Sequence, residues 1–228
     1  MKLNIIISGA GLGGLATAIA LRRRGHTVTV FEKVPELGEV GAGIQIPPNS
    51  SRLLLSWGLG PYLKEFATEP EAIRMRRWQD GEVISLTTLR PDFTEKYGAP
   101  YYVIHRAKLQ LSMYKRALEL GVVLKTSSGV KSYDAHKAEV VLEDGSIHEA
   151  DLVVAADGIH SDARRVVLGG EDRAPEKAGF AAYRAMVDVE LMKKDRDVKW
   201  LLDSPGQNLW YVNLAEIDAK GDDTMLRI

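Results

Sequence analysis

Gly9, Gly11 and Gly14 stand in a G-x-G-x-x-G spacing directly after an apolar run from Leu3 to Ile7. No other stretch constrains the fold as strongly. The apolar run reads as a strand buried on both faces, as in a parallel sheet. Residues Leu12 to Arg24 read as a helix, and Thr27 to Phe31 as a second strand that closes on Glu32. Gly9 permits the tight turn, Gly11 has no side chain to obstruct a pyrophosphate, and Gly14 lets helix and strand pack closely. The helix N-terminus would present free N–H groups to the phosphates. Glu32, with Lys33 beside it, lies roughly 20 residues beyond the glycines, where an acidic group accepts hydrogen bonds from a ribose. Strand, turn, helix, strand and acid in that order predict a Rossmann-like α/β domain for an adenine dinucleotide. NAD and FAD both fit the pattern, and Glu32 opposes a 2′-phosphate at this position.

Composition narrows the remaining options. With 30 basic and 31 acidic residues in 228, the chain has no electrostatic footprint for nucleic acid or an anionic membrane. The cluster Arg22-Arg23-Arg24 falls at the end of the first helix, where cations suit the dipole. Cysteine is absent, which excludes disulfides, thiolate metal sites and a thiol nucleophile and fits a reducing compartment. The histidines show no metal-ligand spacing, so no metal is expected. The N-terminal apolar run is too short for a membrane span and leads into a folded motif, so a cytoplasmic protein is expected.

Along the chain, Gly38 to Asn49 is rich in glycine, with Gly41 and Gly43 suited to backbone lying close against a ligand or another segment. Asn49 is a fair N-cap for a helix from Ser50 to about Trp57. Residues 72–78 and 82–88 alternate around Gln79-Asp80-Gly81 and read as a hairpin. Asp92 to Pro100 reads as a loop and Tyr101–Ile104 as a short strand. The apolar spacing of Arg106 to Leu120 suits an amphipathic helix ended by Gly121. Strands follow at Val122–Lys125, 129–134, 138–142 and Ala150–Ala156, with further strand-like runs at 179–189, 197–202 and 208–214. These runs predict a first domain over 1–175, including inserted strands within 72–104, and the start of a β-rich domain over 176–228.

A second constellation is Asp157-Gly158-Ile-His-Ser161-Asp-Ala-Arg164. A strand would deliver Asp157 at its carboxyl end, Gly158 would let the backbone turn beneath a ligand, and Ser161 is a candidate N-cap. Taken alone, it is more readily an Asp-Gly turn before an ordinary capped helix. Together with the opening fingerprint, the Gly41–Ile44 passage and His105-Arg106 at a helix start, it resembles the FAD-dependent aromatic hydroxylases. These are the flavoprotein monooxygenases of the p-hydroxybenzoate and salicylate hydroxylase class. The resemblance runs from Met1 to roughly Tyr211, and Tyr183-Arg184 resembles the salicylate hydroxylase-like branch.

The resemblance implies a Rossmann-like FAD/NAD(P)-binding domain with an inserted, incomplete β-rich substrate domain. It implies that Gly9, Gly11 and Gly14 cradle the FAD pyrophosphate, that Glu32 binds the ribose, and that Gly43 lines the flavin. It implies FAD contact from Arg106, a place beside adenine for Val130, and a role for Asp157-Gly158 toward both FAD and NAD(P)H. Arg184 becomes the candidate for holding a substrate phenolate or carboxylate, with Tyr211 as a second substrate-side group. The implied reaction is hydroxylation of an aromatic substrate with NAD(P)H and O2. One departure stands out: members of the class continue beyond this length with a Gly-Asp motif that this chain lacks, its Gly221-Asp222 lying in a polar tail. Uncovered apolar surface on a shortened chain would favour homo-oligomers or other association. The competing expectations are a non-catalytic remnant that binds FAD weakly or not at all, and an NAD-dependent oxidoreductase using the same fingerprint.

Overall fold

Ile5, Ile6 and Ile7 are all buried, so the opening strand has no solvent face and must sit inside a covered sheet. A computed structural model describes residues 1–38, 43–77, 79–170, 176, 187–203, 207–212 and 226–227. The chain divides into two units. One holds Met1–Gly41, Leu54–Phe66 and Arg106–Ala174, and the other Ala42–Leu53, Ala67–His105 and Pro175–Ile228.

In chain order the elements open with β1 (Asn4–Ser8), α1 (Leu12–Arg23), β2 (Thr27–Phe31), β3 (Gly43–Ile46), α2 (Pro48–Ser56) and α3 (Gly60–Phe66). Next come β4 (Ala72–Arg77), β5 (Val83–Thr88), α4 (Asp92–Tyr97), β6 (Tyr102–His105), α5 (Arg106–Glu119) and β7 (Val123–Lys125). The short strands β8 (Val130–Asp134), β9 (Glu139–Leu142), β10 (Ile147–Glu149) and β11 (Leu152–Ala155) precede α6 (Ala163–Val167). After α7 (Val189–Lys194) and a 3-10 turn at Lys199–Asp203 come β12 (Gln207–Val212) and β13 (Leu226–Arg227).

The first unit is built on a parallel sheet of order β11-β1-β2-β7. Alternation puts Ile5, Ile7, Val28 and Val30 on one face. There α1 and α5 pack against each other. α5 buries Leu109, Met113 and Ala117, a stripe at helical spacing. The opposite face presents Ile6 and Phe31, which join Val140 and Leu142 in one core cluster. Those two belong to the antiparallel sheet β10-β9-β8, which covers the parallel sheet from that side.

In the second unit β4 is an interior strand. It pairs antiparallel with β5 and parallel with β12, and β13 extends the sheet. β3 and β6 form a separate antiparallel pair, with Gly43 opposite His105. The 72–88 hairpin, expected as an insertion within the first domain, lies in this second unit through its pairing with Gln207–Val212.

Three local expectations are corrected. Asp92–Tyr97 is helical rather than loop. Asp92 and Glu95 suit its first turn, and Gly98, in the left-handed region at φ 69, closes it. Residues 197–202 do not form a strand but run into the Lys199–Asp203 turn. Of the run 179–189, Val189 starts α7 behind Asp188, whose side chain accepts the Glu190 N–H, and residues 179–186 lie outside the described residues.

Candidate functional site

The site grows from the crossing of β1 and α1. The Gly9 N–H donates to the Phe31 carbonyl at 2.7 Å, which binds the turn to the end of β2. Gly9 has φ +100, and a Cβ there would lie 2.4 Å from the Ala156 carbonyl oxygen. A Cβ on Gly14 would lie 1.9 Å from the Gly9 carbonyl oxygen. Both positions are therefore glycine because backbone meets backbone, where β1, α1 and the end of β11 converge. Gly11 and Gly13 differ: nothing lies within 4 Å of either Cβ direction.

The N-terminus of α1 is open as well. Gly11 is its N-cap, in extended conformation, with no side-chain cap and no acidic residue in the first turn. Unmet N–H groups at a helix start attract anions, and an Asp or Glu there would oppose them. Open space at Gly11 and Gly13 against an uncapped helix end is the arrangement a pyrophosphate requires. The residues present fit the phosphate portion of a dinucleotide.

Glu32 is buried at the end of β2. Its Oε2 accepts the Ala10 N–H at 2.6 Å and its Oε1 accepts the Val34 N–H at 3.1 Å. The carboxylate thus braces the glycine loop, and each oxygen keeps a lone pair for another donor. Gln110, buried on α5, donates to the Ala10 carbonyl at 3.1 Å, so Ala10 is held from both sides. Lys33, next in the chain, is exposed. The Ser127 and Ser128 N–H groups donate to the Val34 and Glu32 carbonyls. This brings the start of β8 toward the end of β2, with Val130 packed against the Ile6–Phe31 cluster.

Asp157 follows β11 directly. Its Oδ2 lies 3.0 Å from the Tyr133 hydroxyl and accepts the Asp162 and Ala163 N–H groups at 3.1 and 3.3 Å. Burial opposes its ionisation. Hydrogen bonds from Ser161, the Ala163 N–H and Tyr133 outweigh that and hold the carboxyl below the usual range. Tyr133 also reaches the Ser8 Oγ at 2.8 Å, and burial pushes its phenol well above its ordinary pKa. Ser161, expected as an N-cap, does accept the Arg164 N–H at 3.1 Å, but the first N–H groups of α6 go to Asp157. Gly158 has φ +85, is exposed, and has no atom within 4 Å of its Cβ direction.

Gly9, Gly11, Gly14, Glu32, Asp157 and Gly158 therefore gather at the carboxyl ends of β1, β2 and β11, where open α/β sheets bind their ligands. Arg106 is exposed at the first position of α5, directly after β6. Gly43 begins β3 in the second unit, 3.8 Å from Val103 along its Cβ direction. Tyr211 lies on β12 opposite Arg76 of β4, and Arg184 lies outside the described residues. Sequence reasoning missed Tyr133 and Gln110. Their partners lie 125 and 100 positions away, and no local pattern marks either residue.

Comparison with known proteins agrees with this architecture. A family model described as an FAD binding domain matches residues 2–212. The FAD-dependent monooxygenase OpS4 of Beauveria bassiana is 37% identical over 210 residues, covering 91% of this chain and 49% of that protein. The 3-hydroxybenzoate 6-hydroxylase 1 of Aquipseudomonas alcaligenes is 35% identical over 206 residues, covering 88% and 50%. The crystal structure of CtdE in complex with FAD and substrate superposes with a TM-score of 0.78 at 26% identity, covering 93% of this chain and 52% of that one. The chain spans about half the length of the curated relatives it matches. The glycine cradle, the carboxylate at the end of β2 and the matched length together place this chain in the family of FAD-dependent aromatic-ring hydroxylases.

Proposed function

We propose that this chain carries the FAD-binding part and a portion of the substrate sheet of a monooxygenase that hydroxylates an aromatic ring with NAD(P)H and O2. The observation that carries this reading is the open space at Gly11 and Gly13, set against the uncapped start of α1 and braced by Glu32. Relatives named for hydroxybenzoate, aminohydroxybenzoate and hydroxynicotinate chemistry support a phenolic or aromatic-acid substrate.

In this reading the N–H groups at the start of α1 hold the pyrophosphate, and the glycines admit it without steric conflict. Glu32 accepts from the adenosine ribose with its remaining lone pairs, and Val130 flanks the adenine. Arg106 supplies a fixed cationic fork to a phosphate or flavin oxygen, and Gly43 lines the flavin. Asp157 holds the turn that offers the Gly158 backbone. Arg184 and Tyr211 are the substrate-side groups. The chemistry supplied by bound FAD is reduction by NAD(P)H and activation of O2, one oxygen atom entering the ring and the other leaving as water. The chain's own residues bind, orient and exclude water, and none needs to be a strong acid or nucleophile.

We assign residues 1–175 to the FAD-binding domain and 176–228 to the substrate sheet, to which the 72–88 hairpin contributes by pairing. No helix among the described residues is long and apolar enough to cross a membrane. We place the protein in the cytoplasm. The tetrameric form of 2-methyl-3-hydroxypyridine-5-carboxylic acid oxygenase, 29% identical with a TM-score of 0.61, supports a homo-oligomer.

Purified protein tests the reading. Bound flavin absorbance, a rise in melting temperature on adding FAD and NAD(P)H oxidation stimulated by phenolic acids are expected. Colourless protein whose melting temperature FAD does not move would refute it.

A further inference from the structure

β4 is an interior strand of its sheet, yet its sequence is Ala-Ile-Arg-Met-Arg-Arg. Three arginines in six residues are an unusual choice for a paired strand, and they do not share one fate. Arg77 is neutralised by ion pairs to Asp80 and Glu82. Arg74 and Arg76 sit two residues apart, so they share the opposite face of the strand. Both are half-buried. The Nε of each is buried and has no hydrogen-bond partner. Among the described residues, the Arg74 side chain has no hydrogen-bond or ion-pair partner. Arg76 donates from Nη1 to the Gly81 carbonyl at 2.8 Å, and its guanidinium lies 5.5 Å above the Trp200 ring. No carboxylate among the described residues pairs with either one.

A guanidinium stays charged at every accessible pH and presents its donors in a rigid planar fork. Burying one of those N–H groups without an acceptor sacrifices hydration and gains nothing in return. Two such groups side by side on one face also repel each other. A single ligand relieves both penalties: a planar anion with oxygens spaced for the fork, which is a carboxylate. The ladder also sets Arg76 opposite Tyr211 and Arg74 opposite Leu209, so the same rungs bring in the strand that carries a proposed substrate-side residue.

We propose that Arg74 and Arg76 form a carboxylate-binding site in the second unit, which makes the substrate an aromatic acid rather than a neutral phenol. The inference rests on the hydroxylase reading and names the part of the substrate that this strand holds. Trp200, under the Arg76 guanidinium, fixes that side chain by a cation–π contact and leaves its remaining donors for the ligand. Arg74, whose side chain has no partner among the described residues, takes the second oxygen.

Calorimetric titration of the full chain with 3-hydroxybenzoate and with 3-hydroxybenzamide tests this, since the two share a ring and hydroxyl and differ in charge. The acid should bind at least about tenfold more tightly than the amide, because an unfilled fork penalises the neutral ligand. Arg74→Gln and Arg76→Gln should each remove that preference, with far-UV circular dichroism confirming the fold. Arg74→Lys and Arg76→Lys keep the charge but lose the fork, and should recover only part of it. Equal affinity for acid and amide, or acid affinity unchanged in the folded Gln variants, would overturn the proposal. FAD titration separates the two levels. If FAD binds and the acid does not, the carboxylate site falls and the flavoprotein reading stands; if neither binds, both fall.

Discussion

Replacing Gly11 and Gly14 one at a time by alanine separates what the turn needs to fold from what it needs to hold a ligand. At position 14 the new Cβ would lie 1.9 Å from the Gly9 carbonyl oxygen and 3.0 Å from its carbon. Gly9 cannot easily yield, because its N–H is fixed to the Phe31 carbonyl and its own Cα faces Ala156. Ordinary contact requires a shift of roughly 1.5 Å between backbone segments. Overpacking on that scale costs about 3 kcal/mol, and the gain in helix propensity returns about 1. The net loss of about 2 kcal/mol lowers the melting temperature by about 4–8 °C in a chain of this size. At position 11 the backbone is extended, with φ −66, and nothing lies within 4 Å. Alanine restricts the unfolded chain, worth about 0.4–1 kcal/mol, and is a poorer N-cap by a similar amount. The Gly11→Ala melting temperature should thus stay within about 2 °C of the parent, while its methyl fills the space kept for pyrophosphate and weakens FAD binding by about tenfold or more. Calorimetric melting and FAD fluorescence titration read the two effects. Undiminished FAD affinity in Gly11→Ala, or a parental melting temperature in Gly14→Ala, would refute the division between fold-closing and ligand-facing glycines.

Tyr133→Phe removes the hydroxyl that joins Ser8 to Asp157. It should lower unfolding free energy by about 1–3 kcal/mol, measured as a urea midpoint shift. Glu32→Gln keeps the shape but loses the charge and one of the two acceptors that hold the Ala10 and Val34 N–H groups; a loss of about 1–2 kcal/mol with weaker FAD binding is expected by the same assays. Asp157→Asn should change the pH dependence of stability. The folded pKa of Asp157 is depressed, so the unfolded chain takes up its proton first as pH falls. Its contribution is complete above about pH 5 and drains away below the unfolded value near 4. Urea midpoints at neutral pH and near pH 3.5 should converge between parent and variant on the acid side. A gap that is equal at both pH values would show that the carboxylate is not the stabilising form.

The fold was legible where local physics decides it. The apolar β1, the glycine turn and the α5 stripe of Leu109, Met113 and Ala117 each carry their own periodicity, and the structure places them within a residue or two of expectation. Asp92–Tyr97 was illegible because Pro91 and Gly98 read as loop punctuation. In fact Gly98 is the left-handed stop of a helix too short to show a period. Lys199–Asp203 misled in the other direction: Val198, Trp200 and Leu202 alternate like a strand, but Val198 lies in a turn and the other two on the 3-10 turn that follows it. The pairing of β4 with β12 joins segments more than a hundred residues apart, and no turn or spacing signals such a contact. The glycine cradle was readable because its requirement is steric and local. The unmatched donors of Arg74 and Arg76 emerge only once the strand has neighbours that fail to pair with them.

The hydrogen bonds of Asp157 change what an Asp-Gly turn contributes here. One oxygen, Oδ2, already meets a phenol and two backbone N–H groups, and a carboxylate oxygen has little capacity left beyond three donors. Tyr133 carries the same network to Ser8, the last residue of β1 and the neighbour of Gly9. The carboxylate therefore ties the end of β11 to the glycine turn and fixes where the following residue lies. That residue is Gly158, exposed at φ +85 with open space along its Cβ direction. In the proposed reading the chemistry that would face a ligand at this turn is backbone, and the acid beside it is its anchor. The pattern repeats at Glu32, whose carboxylate holds the Ala10 and Val34 N–H groups while the glycines leave the open surface. At both strand ends an acidic side chain holds the loop in shape and a glycine keeps the approach clear, so losing the acid should misplace the ligand and losing the glycine should exclude it.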